Sequence, residues 1–493
     1  MVLSIPRGIR PDGAGIGPAG CGDEMKVRDV LTLDVEDVAL GGKALARVDG
    51  RVVFVDRGLP GDRVRARVTK TNARWAEAKL SALEQPSPAR VPARCVHVER
   101  CGGCRLQELP YEDQVRLKER QVREALRHLG GFAEPPVRAI VPAPSPWAYR
   151  NKMEFSFAPG EPGTDGFAPP VLGLHERGTF DRVFELKECW LPSALTVEIV
   201  RFTQVFAVRN RWRAYHPSRH DGVARFLTVR HLPHTHSCSV QVLAARDDLP
   251  GLETWARGVA ALSPEVRTVT LGLNAGRAHV AFAESERALV GDGTIVERLL
   301  GLEFEVVANA FLQTNSAQAE RLYEGALAAA ALTGRERVLD LYCGTGTLTL
   351  LFARAAAEAV GVESVPDAIE RARRNAARNG AANARFEAGE ARAVLREWAR
   401  GERAGAPRPD VVVVDPPRAG LHPRVVARVA ELEPSRIVYV SCNPATLARD
   451  LKDFAALGWR PAEVTPYDMF PHTPHIECVT RLERGSGSAA PAI

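Results

Sequence analysis

Four short, largely apolar runs constrain this chain most. Val338 to Leu341, Ala359 to Val362, Val411 to Val414 and Ile437 to Val440 recur between stretches rich in Ala, Arg and Glu. A run without polar alternation is buried on both faces. Such strands alternating with helices build a parallel, doubly wound, Rossmann-like sheet. The pattern predicts an α/β domain over 306–483, followed by a tail over 484–493. In such a sheet, ligands bind beyond the carboxyl ends of the strands. The residues just after each run therefore carry the functional reading.

The rest of the chain reads differently. From Val27 to Leu83 short alternating segments follow one another, with a type I′ hairpin signal at Asp49-Gly50 and a turn at Pro60-Gly61. They predict a small OB-like barrel over 25–86. Its later part is basic (Arg63, Arg65, Arg67, Lys70 and Arg74), a face suited to nucleic-acid phosphates as well as to solvent. Residues 87–305 mix a helix over Tyr111 to Leu129 with strand-like runs and are read as an α+β domain. Residues 1–24, rich in Gly and Pro, read as a disordered tail. Met25 opens the first patterned segment and is a candidate start of translation.

The net charge of +5 is a mild basic excess, compatible with a nucleic-acid partner. No stretch approaches the ~18 apolar residues of a membrane span, and the first residues lack a signal core. With nine cysteines and no secretion signal, a reducing cytoplasm is expected, with clustered thiols serving metal or chemistry rather than disulfides. The chain is expected to act as a monomer.

Val338-Leu-Asp-Leu-Tyr-Cys-Gly-Thr-Gly-Thr347 is a strand entering a glycine loop, and Glu363 ends the next run, 19 residues after Gly344. Glycines let the backbone approach a ligand, and a carboxylate there accepts hydrogen bonds from ribose hydroxyls. A third glycine would suit a pyrophosphate, but position 349 is Thr349. The pattern therefore favours a nucleoside without one, and S-adenosylmethionine fits.

Three more strand ends carry unusual residues: Asp415-Pro-Pro-Arg418, Ser441-Cys442-Asn443-Pro444 and His475-Ile-Glu477-Cys478. Cys442 is a candidate nucleophile by position. Cys343 and Cys478 are also candidates, although Cys343 sits inside the cofactor loop. Free cysteines are more often simply buried. A thiolate makes sense where a methyl group must reach carbon 5 of uracil. Addition at carbon 6 turns the ring into an enolate that attacks through carbon 5. A base then removes the carbon-5 proton and the thiolate leaves. Amino-group methylation needs no such cysteine.

Cys95, Cys101, Gly102, Gly103 and Cys104 form a further cluster, with Cys189 and Cys238 free to complete it. Four thiolates suit zinc or an iron–sulfur centre, and spacing alone does not separate them.

Phe311-Leu-Gln313-Thr-Asn315, the Asp340–Gly346 loop, Asp415-Pro-Pro-Arg418, Ser441-Cys-Asn-Pro-Ala-Thr446 and His475-Ile-Glu477 together resemble, in order, the motifs of bacterial RNA uracil-5-methyltransferases. The likeness is greatest to the 23S ribosomal RNA enzymes of the RumA type. It spans roughly 27–483, and the barrel looks like a TRAM domain. The resemblance implies that Cys442 is the nucleophile and Glu477 the base. It implies that Gln313, Tyr342, Thr347, Glu363, Glu390 and Asp415 line the pocket for S-adenosylmethionine and the target base. It also implies a [4Fe-4S] cluster on Cys95, Cys101, Cys104 and Cys189. Thr347 and Glu390 depart from the pattern, since asparagine is common at both. Arg418 is a candidate phosphate contact. Transfer RNA enzymes share the catalytic motifs. Cytosine-5 methylation is the rival chemistry but favours a Pro-Cys pair at the nucleophile. An RNA-binding assembly factor with an inactive enzyme domain is the rival of another class.

Overall fold

The computed structural model describes residues 25–400 and 408–485. The expected tail at 1–24 and the 486–493 part of the C-terminal one lie outside the described residues. The described residues form two compact units, 25–37 with 43–87, and 38–42 with 88–485.

The first unit is built on a six-stranded sheet in the order β1-β5-β6-β4-β3-β2, where β1 is Val30–Asp34, β2 Asp37–Val38, β3 Ala44–Val48, β4 Arg51–Val55, β5 Arg63–Thr71 and β6 Trp75–Gln85. Asp49 and Gly50 both have positive φ, 50° and 80°, so the expected hairpin between β3 and β4 forms with Val48 opposite Arg51. Beyond β1, the Glu36 N–H donates to Leu45 O at 2.8 Å, so the chain bends from β5 across to β3 and the sheet closes on itself. On β5, Val64, Ala66 and Val68 are buried while Arg63, Arg65 and Arg67 are exposed, as period-2 alternation requires. Asp34 sits 3.4 Å from Arg63 and Glu84 3.6 Å from Arg65, so carboxylates partly offset the basic face.

The second unit opens with α1 (Tyr111–His128). A seven-stranded, mainly antiparallel sheet follows, in the order β13-β12-β11-β10-β7-β8-β9. Its strands are β7 Lys152–Pro159, β8 Pro170–His175, β9 Val183–Glu185, β10 Ala224–Leu232, β11 Ser237–Ala244, β12 Val266–Leu273 and β13 Ser285–Val290. Helices α2 (Ala194–Arg209) and α3 (Leu252–Ala261) share its core around Trp212 and Trp255. A hairpin, β14 (Ile295–Leu299) and β15 (Leu302–Val306), follows. Its apolar side chains already belong to the core of the C-terminal sheet, together with Leu322, Val338 and Val411.

That sheet has the order β18-β17-β16-β19-β20-β22-β21. Its strands are β16 Arg337–Leu341, β17 Glu358–Glu363, β18 Ala384–Ala388, β19 Val411–Val414, β20 Arg436–Ser441, β21 Trp459–Tyr467 and β22 Glu477–Arg484. The first five are parallel, and β22 lies antiparallel between β20 and β21. Helices α4 (Ser316–Ala330), α5 (Thr347–Ala353), α6 (Pro366–Arg378), α7 (Ala391–Ala399), α8 (Pro423–Glu431) and α9 (Pro444–Ala456) alternate with them. The four valines of β19 show why an unbroken apolar run is needed. Val411 and Val413 enter one core, Val412 and Val414 the other. Val122 and Leu126 of α1 pack into the second core, so a helix from the central region helps to cover the C-terminal sheet. The tail expected from residue 484 starts too early, because Arg484 ends β22 and pairs with Trp459. No helix among the described residues is long and apolar enough to cross a membrane.

Candidate active site

The carboxyl ends of β16, β19 and β20 and the start of β22 meet at one edge of this sheet. The loop after β16 needs unusual backbone. Tyr342 has φ +66°, Gly344 +54° and Gly346 +87°. A side chain at Gly346 would meet the Phe386 ring at 2.8 Å, so only glycine fits. Below the loop, buried Asp340 accepts from the Thr349 hydroxyl at 2.6 Å, and burial pushes its carboxyl up to about 7. Thr349, where a dinucleotide enzyme would have glycine, is thus a tie to the strand.

Gln313, Tyr342, Thr347 and Asp415 line one cleft, along with Tyr323 and Asp340. Glu363 and Glu390 are not among its walls. Glu363 accepts from the Gly344 N–H at 3.3 Å and from the Val365 N–H at 3.0 Å, so it braces the glycine loop. Glu390 stands at the start of α7. Both carboxylates bear on the Tyr342 phenol, which burial chiefly pushes up to about 12. Tyr323 of α4 went unnoticed in the sequence. It is buried near Asp415, Glu477 and Asp340, and its only signal is its place two turns into the helix after Asn315.

The nucleophile loop is tied to the Asp415 loop. Asn443 Nδ2 donates to Arg418 O at 3.1 Å, and the Thr446 hydroxyl donates to it at 3.4 Å. Beneath them, Asp450 accepts from the Tyr439 hydroxyl and the Leu421 N–H, both at 2.7 Å. Ser441 of β20 is paired with Cys478 of β22. One residue further, Cys442 and Glu477 stand at the same end of adjacent strands. Burial, then the carboxyls of Glu477 and Asp415, push the half-buried Cys442 thiol up to about 11, with Arg418 opposing them. The thiol is therefore neutral at rest, and its proton must leave as sulfur attacks. Burial, then the neighbouring Asp415, raises Glu477 to about 8, and burial raises Asp415 to about 7. Carboxyls held near neutrality suit proton transfer at pH 7. Cys343 and Cys478 are buried, with thiols driven far up by burial, and are inert packing groups.

Away from this edge, Cys95, Cys101, Cys104 and Cys189 line one cavity of about 500 Å³. Arg177, which the sequence did not single out, donates to the carbonyls of Val98, Cys101 and Cys104 at 3.0–3.1 Å and holds the loop in its curl. Burial pushes the Cys104 thiol up to about 12, and Cys189, Cys101 and Cys95 add to it. Buried Cys238 lies on β11 and is not part of the lining.

Residues 250–485 match the model of the tRNA (uracil-5-)-methyltransferase family, and residues 24–81 that of the TRAM domain. A chain from Nitratidesulfovibrio vulgaris, described as an uncharacterized RNA methyltransferase, is 39% identical over 92% of this chain and 96% of its own. One from Bacillus cereus, described likewise, is 36% identical over 93% and 98%. The chain belongs to the RNA (uracil-5-)-methyltransferase family. As a member it is an S-adenosylmethionine-dependent RNA methyltransferase. A solved structure in the family's likeness is the Pyrococcus abyssi tRNA (uracil-54, C5)-methyltransferase in complex with S-adenosyl-L-homocysteine. It is 28% identical, covers 92% of this chain and 99% of its own, and has a TM-score of 0.71. The OB-like TRAM barrel and the doubly wound methyltransferase sheet are the architecture the sequence implied.

Proposed function

We propose that this enzyme methylates carbon 5 of a uridine in 23S ribosomal RNA, with Cys442 as nucleophile and Glu477 as base. The observation that carries the reading is the register of β20 and β22, which sets Cys442 beside Glu477 at the sheet edge that also bears Asp415 and the glycine loop. S-adenosylmethionine, when bound, supplies an electrophilic methyl group. Gln313, Tyr342, Thr347 and Asp415 would hold it and the target base, with Glu363 and Glu390 flanking the loop. Cys442 sulfur adds to carbon 6 as its proton passes to the neighbouring Asp415 carboxylate, and the addition makes carbon 5 nucleophilic. Once carbon 5 carries the methyl group, Glu477 takes its proton, the carbon–sulfur bond breaks and the thiolate leaves.

Cys95, Cys101, Cys104 and Cys189 line the same cavity, which supports the proposed [4Fe-4S] cluster; among the described residues no group of three or more His, Cys, Asp or Glu side chains is set to hold a metal ion. The cluster would bind the loops that follow Cys104 and Cys189 into one body. Protein purified without oxygen should be brown and carry about four irons per chain. Cys189→Ser should lose them and Cys238→Ser should keep them. One zinc per chain without sulfide would refute the cluster.

The ribosomal target rests on the likeness to RumA-type enzymes over barrel, cluster loop and catalytic motifs. The Pyrococcus abyssi structure favours a second reading, transfer RNA. Rate over affinity for naked 23S RNA and for unmodified transfer RNA decides between them. The ribosomal substrate should win by at least ~10³-fold, a span within reach of specific over non-specific nucleic-acid binding. The reverse order would sink the proposal.

A further inference from the structure

The base Glu477 follows a nine-residue segment, Asp468 to Ile476, with little regular structure of its own. That segment is held mainly from outside the C-terminal sheet. Lys118 of α1 and Asp468, both fully buried, form an ion pair at 2.6 Å, and the Lys118 ammonium also donates to Phe470 O at 3.0 Å. One turn earlier on the same helix, buried Gln114 grips His472 twice. Its Oε1 accepts from the His472 N–H at 2.9 Å, and its Nε2 lies 3.1 Å from His472 Nδ1. The His472 carbonyl accepts from the N–H groups of Arg105 and Leu106, the two residues after Cys104, at 2.9 and 3.0 Å. Trp147 stacks on the His472 ring at 3.9 Å, and the Tyr149 hydroxyl donates to Pro471 O at 3.0 Å. His472 itself has φ +66°, a conformation that a residue other than glycine keeps only when its surroundings impose it.

Burying an ion pair is a poor route to stability, because desolvation of both charges offsets their attraction. Its use here, with the double grip on a strained residue five positions before Glu477, needs another explanation. We infer that Gln114 and Lys118 of α1 are positioning residues for the catalytic base: they fix the Asp468–His472 strap and thereby aim Glu477 at carbon 5. This rests on the assignment of Glu477 as the base. The central region therefore takes part in the elimination step without touching the uracil. Residues i and i+4 on one helix face give the strap two anchors about one helical turn apart, enough to set direction as well as place.

The test uses the full-length enzyme and uridine-containing substrate RNA. Gln114→Leu keeps bulk and removes both grips. Lys118→Met with Asp468→Asn removes both charges together, so that no lone charge stays buried. Methyl transfer in a single turnover should change little. Elimination should slow, so that a denaturant-resistant, methyl-bearing protein–RNA adduct rises by about tenfold, less than the ~10²–10⁴-fold that complete loss of a general base costs. Gln114→Glu, which keeps an acceptor for the His472 N–H, should bring the adduct back toward the wild-type level. Glu477→Gln, run in parallel, separates the two ideas. If it traps adduct while folded Gln114→Leu enzyme does not, the strap has no positioning role and the base assignment stands. If Glu477→Gln itself traps none, the base assignment fails and the inference with it. Failure of all three strap variants to fold, judged by melting of the purified protein, would also overturn it. The contacts would then serve the core alone.

Discussion

Cys442→Ala is expected to abolish methylation, a loss on the order of 10⁴-fold or more, as when a covalent nucleophile is deleted. No covalent protein–RNA complex should form at any pH. Carbon 5 of uracil is not nucleophilic until sulfur has added at carbon 6, and among the described residues no second thiol at this edge is available. Cys343 and Cys478 are buried and their protons tightly held. The Cys442 thiol, pushed up to about 11, is almost wholly protonated at neutral pH. Attack therefore has to be coupled to proton loss, with the Asp415 and Glu477 carboxyls beside it, and the rate of adduct formation should climb as pH rises above neutrality. Cofactor binding, measured by calorimetry with S-adenosylhomocysteine, should be unchanged in Cys442→Ala. Residual methylation in that variant would remove Cys442 from the mechanism.

Glu477→Gln should fail later and visibly. The amide keeps the shape but accepts no proton from carbon 5. Steady-state turnover should fall by ~10²–10⁴-fold, the usual contribution of a positioned base. Sulfur addition and methyl transfer should persist, so the methylated adduct accumulates on a denaturing gel. Adding Cys442→Ala to the same chain should erase it. In the unaltered enzyme, a base pushed up to about 8 is protonated below that pH and competent above it. Elimination should therefore speed up as pH rises through about 8. Normal turnover by Glu477→Gln would pass the role to Asp415.

Much of the C-terminal half was legible because its strands are covered on both faces. Each must then be apolar throughout, as Val411 to Val414 are, and each exits at the functional edge. The β3–β4 hairpin was legible because Asp49-Gly50 favours two positive φ angles. Other features leave no local trace. That β22 would run antiparallel, carrying Arg484 in the sheet, follows from which neighbour it pairs with, and its own residues do not say so. Lys118 and Asp468 are 350 residues apart and each alone reads as an ordinary surface charge. Tyr323 and Arg177 matter through what folds against them. The Cys442 pKa depends on burial and on two carboxyls from other strands, so the motif around Cys442 offers no clue to its sign.

The place of β22 bears on how the protein is made. Although it is the last strand among the described residues, it lies inside the sheet, hydrogen-bonded to β20 on one side and β21 on the other. A nascent chain that has reached residue 476 has its nucleophile but no base. It also holds two open strand edges where β22 will sit, and such edges invite pairing with other chains. Synthesis and maturation are thereby coupled. By the proposed mechanism, release of the methylated base waits for the same segment that closes the sheet.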